Sequence, residues 1–200
     1  MRRIVLLAVL ALALPTAVFA GSSIDYTNSG GNLSGSNSGL SLSGSTLIAV
    51  NGNAGLITGS DLGSVSFETG TLSSGSLQQG GTFAAGGWFT ITGNGSNGIP
   101  TGTLFAGTFS GPLTWKLVTL ANGTHNYTLT GTLTGTTGSG LSTVGVTVQL
   151  TINTGKGFFN GCTRISSGDT NVVVPEPGSL SLLGTGLIGL GGVIRRKLKA

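Results

Sequence analysis

The sequence is short of charge. Lysine and arginine number 9 and aspartate and glutamate 5 in 200 residues. Most of the cations sit at the ends, as Arg2, Arg3, Arg195, Arg196, Lys197 and Lys199. In residues 21–174 only Lys116, Lys156 and Arg164 stand against Asp25, Asp61, Glu68 and Asp169, a net charge of −1. The basic pI of 9.7 therefore belongs to the termini. Three scattered cations make no basic patch, so nucleic acid is excluded as a partner. Cysteine occurs once, at Cys162, which rules out an intrachain disulfide and a cysteine-rich metal site. A free thiol behaves as a small hydrophobe, so Cys162 is expected to be buried or partly buried and inert.

The same poverty excludes most chemistry. His125 is the only histidine. A triad with Asp61 or Asp169 is arithmetically possible, but no G-x-S-x-G elbow accompanies it. Beside Asn122-Gly123, His125 is expected at an exposed turn. Glycoside hydrolysis needs two carboxylates facing each other across a bond. Asp61 and Glu68, the nearest pair in the sequence, read as solvated residues flanking a strand. No calcium loop is present. Residues 93–98 match G-x-G-x-x-G, and so do residues 184–189, inside an apolar run where the pattern has no meaning. No helix signal follows Gly98 and no acid lies about 20 residues on, so residues 93–98 read as a hairpin loop. No enzyme activity, cofactor or metal is expected.

What the chain has is glycine (38 residues) with abundant serine, threonine and asparagine. Residues 21–174 show no sustained helical period. They show alternation of period two. In Tyr127–Thr134 the odd positions are mostly apolar and the even ones are threonine. In Val144–Ile152 the even positions are apolar throughout. Both are half-buried strands with one wet face. Further strands are predicted over Leu40–Val50, Ser64–Leu72, Gly87–Thr92, Thr103–Phe109 and Leu113–Leu120. Turn signals separate them at Asn51-Gly52, Asn94-Gly95, Ile99-Pro100, Gly111-Pro112 and Asn122-Gly123. The fold class is all-β, a β-sandwich-like domain of short antiparallel strands over residues 40–173. Residues 21–39, nearly all Gly, Ser and Asn, read as a flexible lead or a loose first strand. Trp88, Phe89, Trp115 and Tyr127 lie among apolar strand residues. Core packing suits them better than a sugar-binding platform. The Asn32, Asn94, Asn122 and Asn126 sequons are chance products of a Ser/Thr-rich chain.

The ends are more specific. Arg2-Arg3, the apolar Ile4–Leu14 and the helix-breaking Pro15 compose a signal peptide. Small residues at Val18 and Ala20 place cleavage by signal peptidase after Ala20. At the other end Pro175-Glu176-Pro177 precedes the uncharged Gly178–Ile194, and Arg195-Arg196-Lys197-Leu198-Lys199 follows. Those 17 uncharged residues would rise about 25 Å as a helix, enough for a thin hydrocarbon core. Arg195, Arg196 and Lys197 would then stay cytoplasmic as a stop-transfer end. Membrane lipid is thus an expected partner. The mature region lies outside, with an N-terminal signal helix and a C-terminal transmembrane helix flanking it in the precursor.

In motif, span and basic end, residues 174–198 resemble the PEP-CTERM sorting domain of Gram-negative bacterial surface proteins. The resemblance covers about an eighth of the chain. It implies that an exosortase, a membrane-embedded protease of transpeptidase type, recognises Pro175, Glu176 and Pro177 and cuts there. It also implies hosts that make extracellular polysaccharide. The expected role is structural or adhesive, at the cell surface or in the extracellular matrix, without catalysis. A carbohydrate-binding module of an exopolysaccharide matrix is the alternative, with extracellular polysaccharide as partner, and a secreted hydrolase is the weakest reading.

Overall fold

A computed structural model describes residues 22–143 and 145–174. The signal segment with its cleavage residue Ala20, the motif Pro175-Glu176-Pro177, the apolar run and the basic end all lie outside the described residues. Ser23–Val174 forms one compact unit.

The described residues form thirteen strands: β1 Ser22–Ser29, β2 Asn32–Ser36, β3 Gly39–Gly52, β4 Gly55–Thr69, β5 Leu72–Ser76, β6 Gly80–Phe83, β7 Gly86–Asn94, β8 Thr101–Phe109, β9 Leu113–Thr119, β10 His125–Thr137, β11 Gly145–Asn153, β12 Cys162–Arg164 and β13 Ser167–Val174. A single 3₁₀ turn, Ser96–Gly98, is the one helical element among them. All-β antiparallel architecture is what the alternating pattern predicts. In β10, Tyr127, Leu129 and Leu133 are buried while Thr130 and Thr132 are exposed. In β11 the buried residues are Val146, Val148, Leu150 and Ile152.

Three expectations need correction. The strands do not make two separate sheets packed as a sandwich. Hydrogen bonding runs from β10 through β11, β13, β1, β3, β4, β7 and β8 and returns to β10, so one sheet closes on itself. Closure removes sheet edges, the problem any antiparallel fold must solve. Long strands make it possible, at 14 residues in β3, 15 in β4 and 13 in β10. Each of β3 and β10 takes two partners in succession. β3 pairs with β2 over Gly39–Ser43 and with β1 over Thr46–Asn51. β10 pairs with β9 over His125–Thr130 and with β8 over Leu133–Thr137. The closed ring therefore carries two flaps, β2 with β12, and β9 with β6 and β5.

Of the two readings of residues 21–39, a flexible lead or a loose first strand, the structure has strand. From Ser22 they form β1 and β2, with Tyr26, Asn28 and Leu33 buried. Buried polarity is satisfied there: the Asn28 amide donates to Ser45 Oγ at 2.7 Å, and Ser45 Oγ donates to the Ser29 carbonyl at 3.2 Å. The turn signal at Asn51-Gly52 is displaced by two residues. Asn51 and Gly52 end β3, and Asn53-Ala54 make the turn, with Gly52 opposite Gly55.

The core holds two aromatic groups. Phe67 and Phe89 stack at 5.9 Å, with Phe109 edge-on to both. Trp115 stacks on Tyr127 at 4.9 Å, with Phe159 edge-on to Trp115. The polar tips of the second group reach outward. Trp115 Nε1 donates to the Leu77 carbonyl, and the Tyr127 hydroxyl donates to the Gln78 carbonyl. Phe159 N–H donates to that same hydroxyl. The β5–β6 turn and the β11–β12 connection are thus tied to the core.

Candidate functional site

The residues chosen from sequence for sorting lie outside the described residues, but their root does not. β13 runs to Val174, directly before Pro175, with Val173 paired to Gly145 of β11. Val172 and Val174 point inward and are buried. Asn171 Nδ2 donates to the Asp25 carboxylate, joining β13 to β1. The described part of β13 thus reaches the residue before Pro175, and proline cannot donate to a ladder. No linker separates fold from motif.

The registers also show where this root sits. β13 ends beside the start of β11, and the isolated bridge Thr136–Ser142 marks the end of β10 on the same rim. β1 begins opposite the end of β3, with Asp25 facing Asn51. Both ends of the described chain therefore reach one end of the ring. That end holds a cavity of about 570 Å³. Ile24, Tyr26, Val50, Ile57, Ile99 and Leu104 give its apolar wall, and among the described residues no charged one lines it. Burial pushes the Tyr26 phenol above the ordinary tyrosine range.

The residues weighed for chemistry are dispersed. His125 is not at an exposed turn. It is the first residue of β10, 8% exposed, with Nδ1 3.0 Å from Thr119 Oγ1 and its ring stacked on Phe158 at 4.4 Å. Among the described residues no carboxylate is hydrogen-bonded to it. Asp61 accepts instead from Gly63 N–H and the Asn94 amide, and Asp169 is exposed on β13 opposite Gln149. Gly93 and Asn94 close β7, paired with Gly102 and Thr101 of antiparallel β8, and the hairpin connection runs over residues 95–100. Cys162 is exposed rather than buried, because the three-residue β12 lies on an outer flap.

The four aromatic residues divide. Phe89, Trp115 and Tyr127 are core, but Trp88 is 41% exposed. It lies in a cross-strand row that sequence reading missed. Cys162 faces Ser34, Ser34 faces Ser41, Ser41 faces Glu68 and Glu68 faces Trp88, across five strands. A groove of about 360 Å³ lies along this row, lined by Ser34, Ser41 and Glu68 among others. The partners are remote in sequence, so no local motif could have announced them.

The described part is thus a closed all-β domain whose last strand leads straight into a proline-flanked motif, an uncharged run and a basic end. Residues 173–197 match the family model of the PEP-CTERM protein-sorting motif, so the chain carries that motif at its C-terminal tail. The motif implies export, processing by an exosortase membrane enzyme and sorting to the cell surface. The match begins at Val173, inside β13. No curated protein and no solved structure matches the chain. Among the described residues no helix is long and apolar enough to cross a membrane.

Proposed function

We propose that this chain is a non-catalytic structural or adhesive protein of the cell surface or extracellular matrix, delivered by its tail. The signal peptide is removed after Ala20, two residues before β1 begins. Gly178–Ile194 then holds the chain in the inner membrane, with Arg195, Arg196 and Lys197 resisting translocation. Exosortase cuts near Pro175-Glu176-Pro177 and frees the domain or passes it to a new attachment. The observation that carries this reading is the sorting-motif match at residues 173–197, directly continuous with a folded domain. An outer face dressed with threonine and serine suits neutral, adhesive contact. The test replaces Pro175, Glu176 and Pro177 by alanine in a host with an exosortase, followed by an immunoblot of membrane and external fractions. The uncut protein should accumulate in the membrane, while the parent ends near the motif by mass spectrometry. A parent that still ends at Ala200 reduces the tail to an anchor.

The row ending at Trp88 favours carbohydrate binding as a second reading. An exposed indole, a carboxylate and adjacent hydroxyls are the groups that stack on and hydrogen-bond a sugar. A glycan array probed with the full chain tests it. Trp88→Ala should weaken any retained glycan about tenfold, ~1.4 kcal/mol. Binding unchanged by that substitution would remove the row from consideration.

A further inference from the structure

The end of the ring where β13 hands over to the motif has a geometry that limits where it sits. Only Pro175, Glu176 and Pro177 separate Val174 from the apolar run that starts at Gly178. Three extended residues reach about 11 Å at most. The headgroup layer on one side of a bilayer takes up roughly 5–8 Å of that reach. A domain tethered so closely must bring its exit end against the lipid surface.

That end is also chemically distinct. Its cavity, about 570 Å³, falls in the size range of small-molecule sites and has an uncharged, largely apolar wall. Leu56, 66% exposed, lies on the β3–β4 hairpin between the lining residues Gly55 and Ile57, and Leu141, 37% exposed, lies on the β10–β11 connection two residues past the lining residue Ser139. Single apolar side chains are exposed elsewhere too, such as Phe158, Val118 and Leu120 near the start of β10. Only the exit end combines them with an apolar cavity and the departure of the chain. The wall of the ring does not compete for lipid. Along β10 the outward residues are Thr128, Thr130 and Thr132, while Tyr127, Leu129 and Leu133 are buried, the reverse of the pattern in a membrane-spanning barrel.

We propose that this end of the ring is a lipid-docking face, whose mouth and Leu56–Leu141 rim contact the acyl chains of the bilayer while the tail is anchored. The proposal rests on the reading that Gly178–Ile194 enters the membrane. The occupant is lipid because the tether places lipid there. Attraction to anionic headgroups plays no part. Lys116, Lys156 and Arg164 belong to β9, to the β11–β12 connection and to β12, and none lines the cavity. Docking should therefore be insensitive to salt. Cutting near the motif would release the face from the bilayer and leave an apolar mouth on the freed domain.

The single native cysteine makes the test direct. Cys162 is exposed on β12, opposite Ser34 of β2, on a flap away from the mouth. The full chain is reconstituted into phosphatidylcholine vesicles containing acyl-spin-labelled lipid. A fluorophore is attached either to native Cys162 or to Leu56→Cys in a Cys162→Ser background, with Leu141→Cys as a second rim site. Leu56 and Leu141 are exposed, so these substitutions leave the core intact. Lipid spin label should quench the rim probes several-fold more than the Cys162 probe, equally in low and in 0.5 M salt (roughly a fourfold shorter Debye length than 0.03 M). Aqueous iodide should show the opposite order. Equal quenching of the sites in an inserted chain overturns the docking face alone. Rim probes shielded from both quenchers mean that protein covers the mouth, which also overturns it. A chain that fails to insert overturns the anchoring reading, and the docking face with it.

Discussion

Thr170 and Tyr127 show how one hydroxyl differs from another in this core. Thr170 Oγ1 is buried and has no hydrogen-bond partner among the described residues. Tyr127 is also buried, but its hydroxyl donates to the Gln78 carbonyl at 2.7 Å and accepts from Phe159 N–H at 3.1 Å. Removing an unpaired buried hydroxyl relieves a desolvation cost, whereas removing a paired one strands its partners. Thr170→Val should therefore stabilise the domain by about 1 kcal/mol, and Tyr127→Phe should destabilise it by about 1–3 kcal/mol. Urea unfolding of the two variants checks the sign of each. Tyr26 adds a pH dependence. Its folded phenol titrates above the unfolded value of about 10, so the unfolded chain loses its proton first as pH rises. Stability should hold below about pH 10 and fall above it, and Tyr26→Phe should flatten that fall. Single residues were the least legible level of the sequence. Cys162 and Trp88 sit where distant strands put them, and their own neighbours in the chain carry no trace of those partners, while His125 is covered by Phe158 as well as by nearby Thr119.

Strands were more legible where the alternation is unbroken. β11 stands out because it keeps one parity of apolar residues from Val146 to Ile152, and β10 because Tyr127, Leu129 and Leu133 share one parity against threonines. β3 is harder to read. Leu40 and Leu42 point inward, then the register shifts between Leu42 and Ser45, and Ser45 and Leu47 point inward instead. A bulge adds one residue and flips the parity, so a period-two reading loses phase across it. β4 contains a comparable site at Gly63, with φ of +146° and a position where a Cβ would meet Thr92 O at 1.9 Å. The obstacle is backbone of β7, which cannot swing aside. Gly63→Ala should cost more than the roughly 1 kcal/mol typical of point substitutions and lower the melting temperature by several degrees. A Gly63→Ala variant that melts with the parent would mean that β4 and β7 are not held this close. β2, β5, β6, β12 and β13 were not predicted as strands, and β1 only as the loose first strand that residues 21–39 offered as one reading. They are short or rich in Gly and Ser, and they owe their form to pairing rather than to pattern.

At the scale of the whole molecule, the proposed non-catalytic role carries its own prediction. A general acid and base must converge on one reacting bond. His125, Asp61 and Asp169 make their hydrogen bonds or pairings with other residues. The purified chain should show no turnover in an ester, glycoside and peptide hydrolysis screen, and activity abolished by His125→Ala would overturn the non-catalytic reading. By itself the sequence determined the address and the class. A sorting tail is a linear signal, read by membrane machinery as it emerges, so it must be written locally. Strand alternation is local too, since side chains point to opposite faces every second residue. Tertiary structure alone decided that the sheet closes, that both ends of the domain meet at one apolar mouth, and that Trp88, Glu68 and two serines fall into one row. Those facts depend on which strand pairs with which and in what register, and pairing between segments far apart in the chain leaves no mark in the order of residues along any one of them.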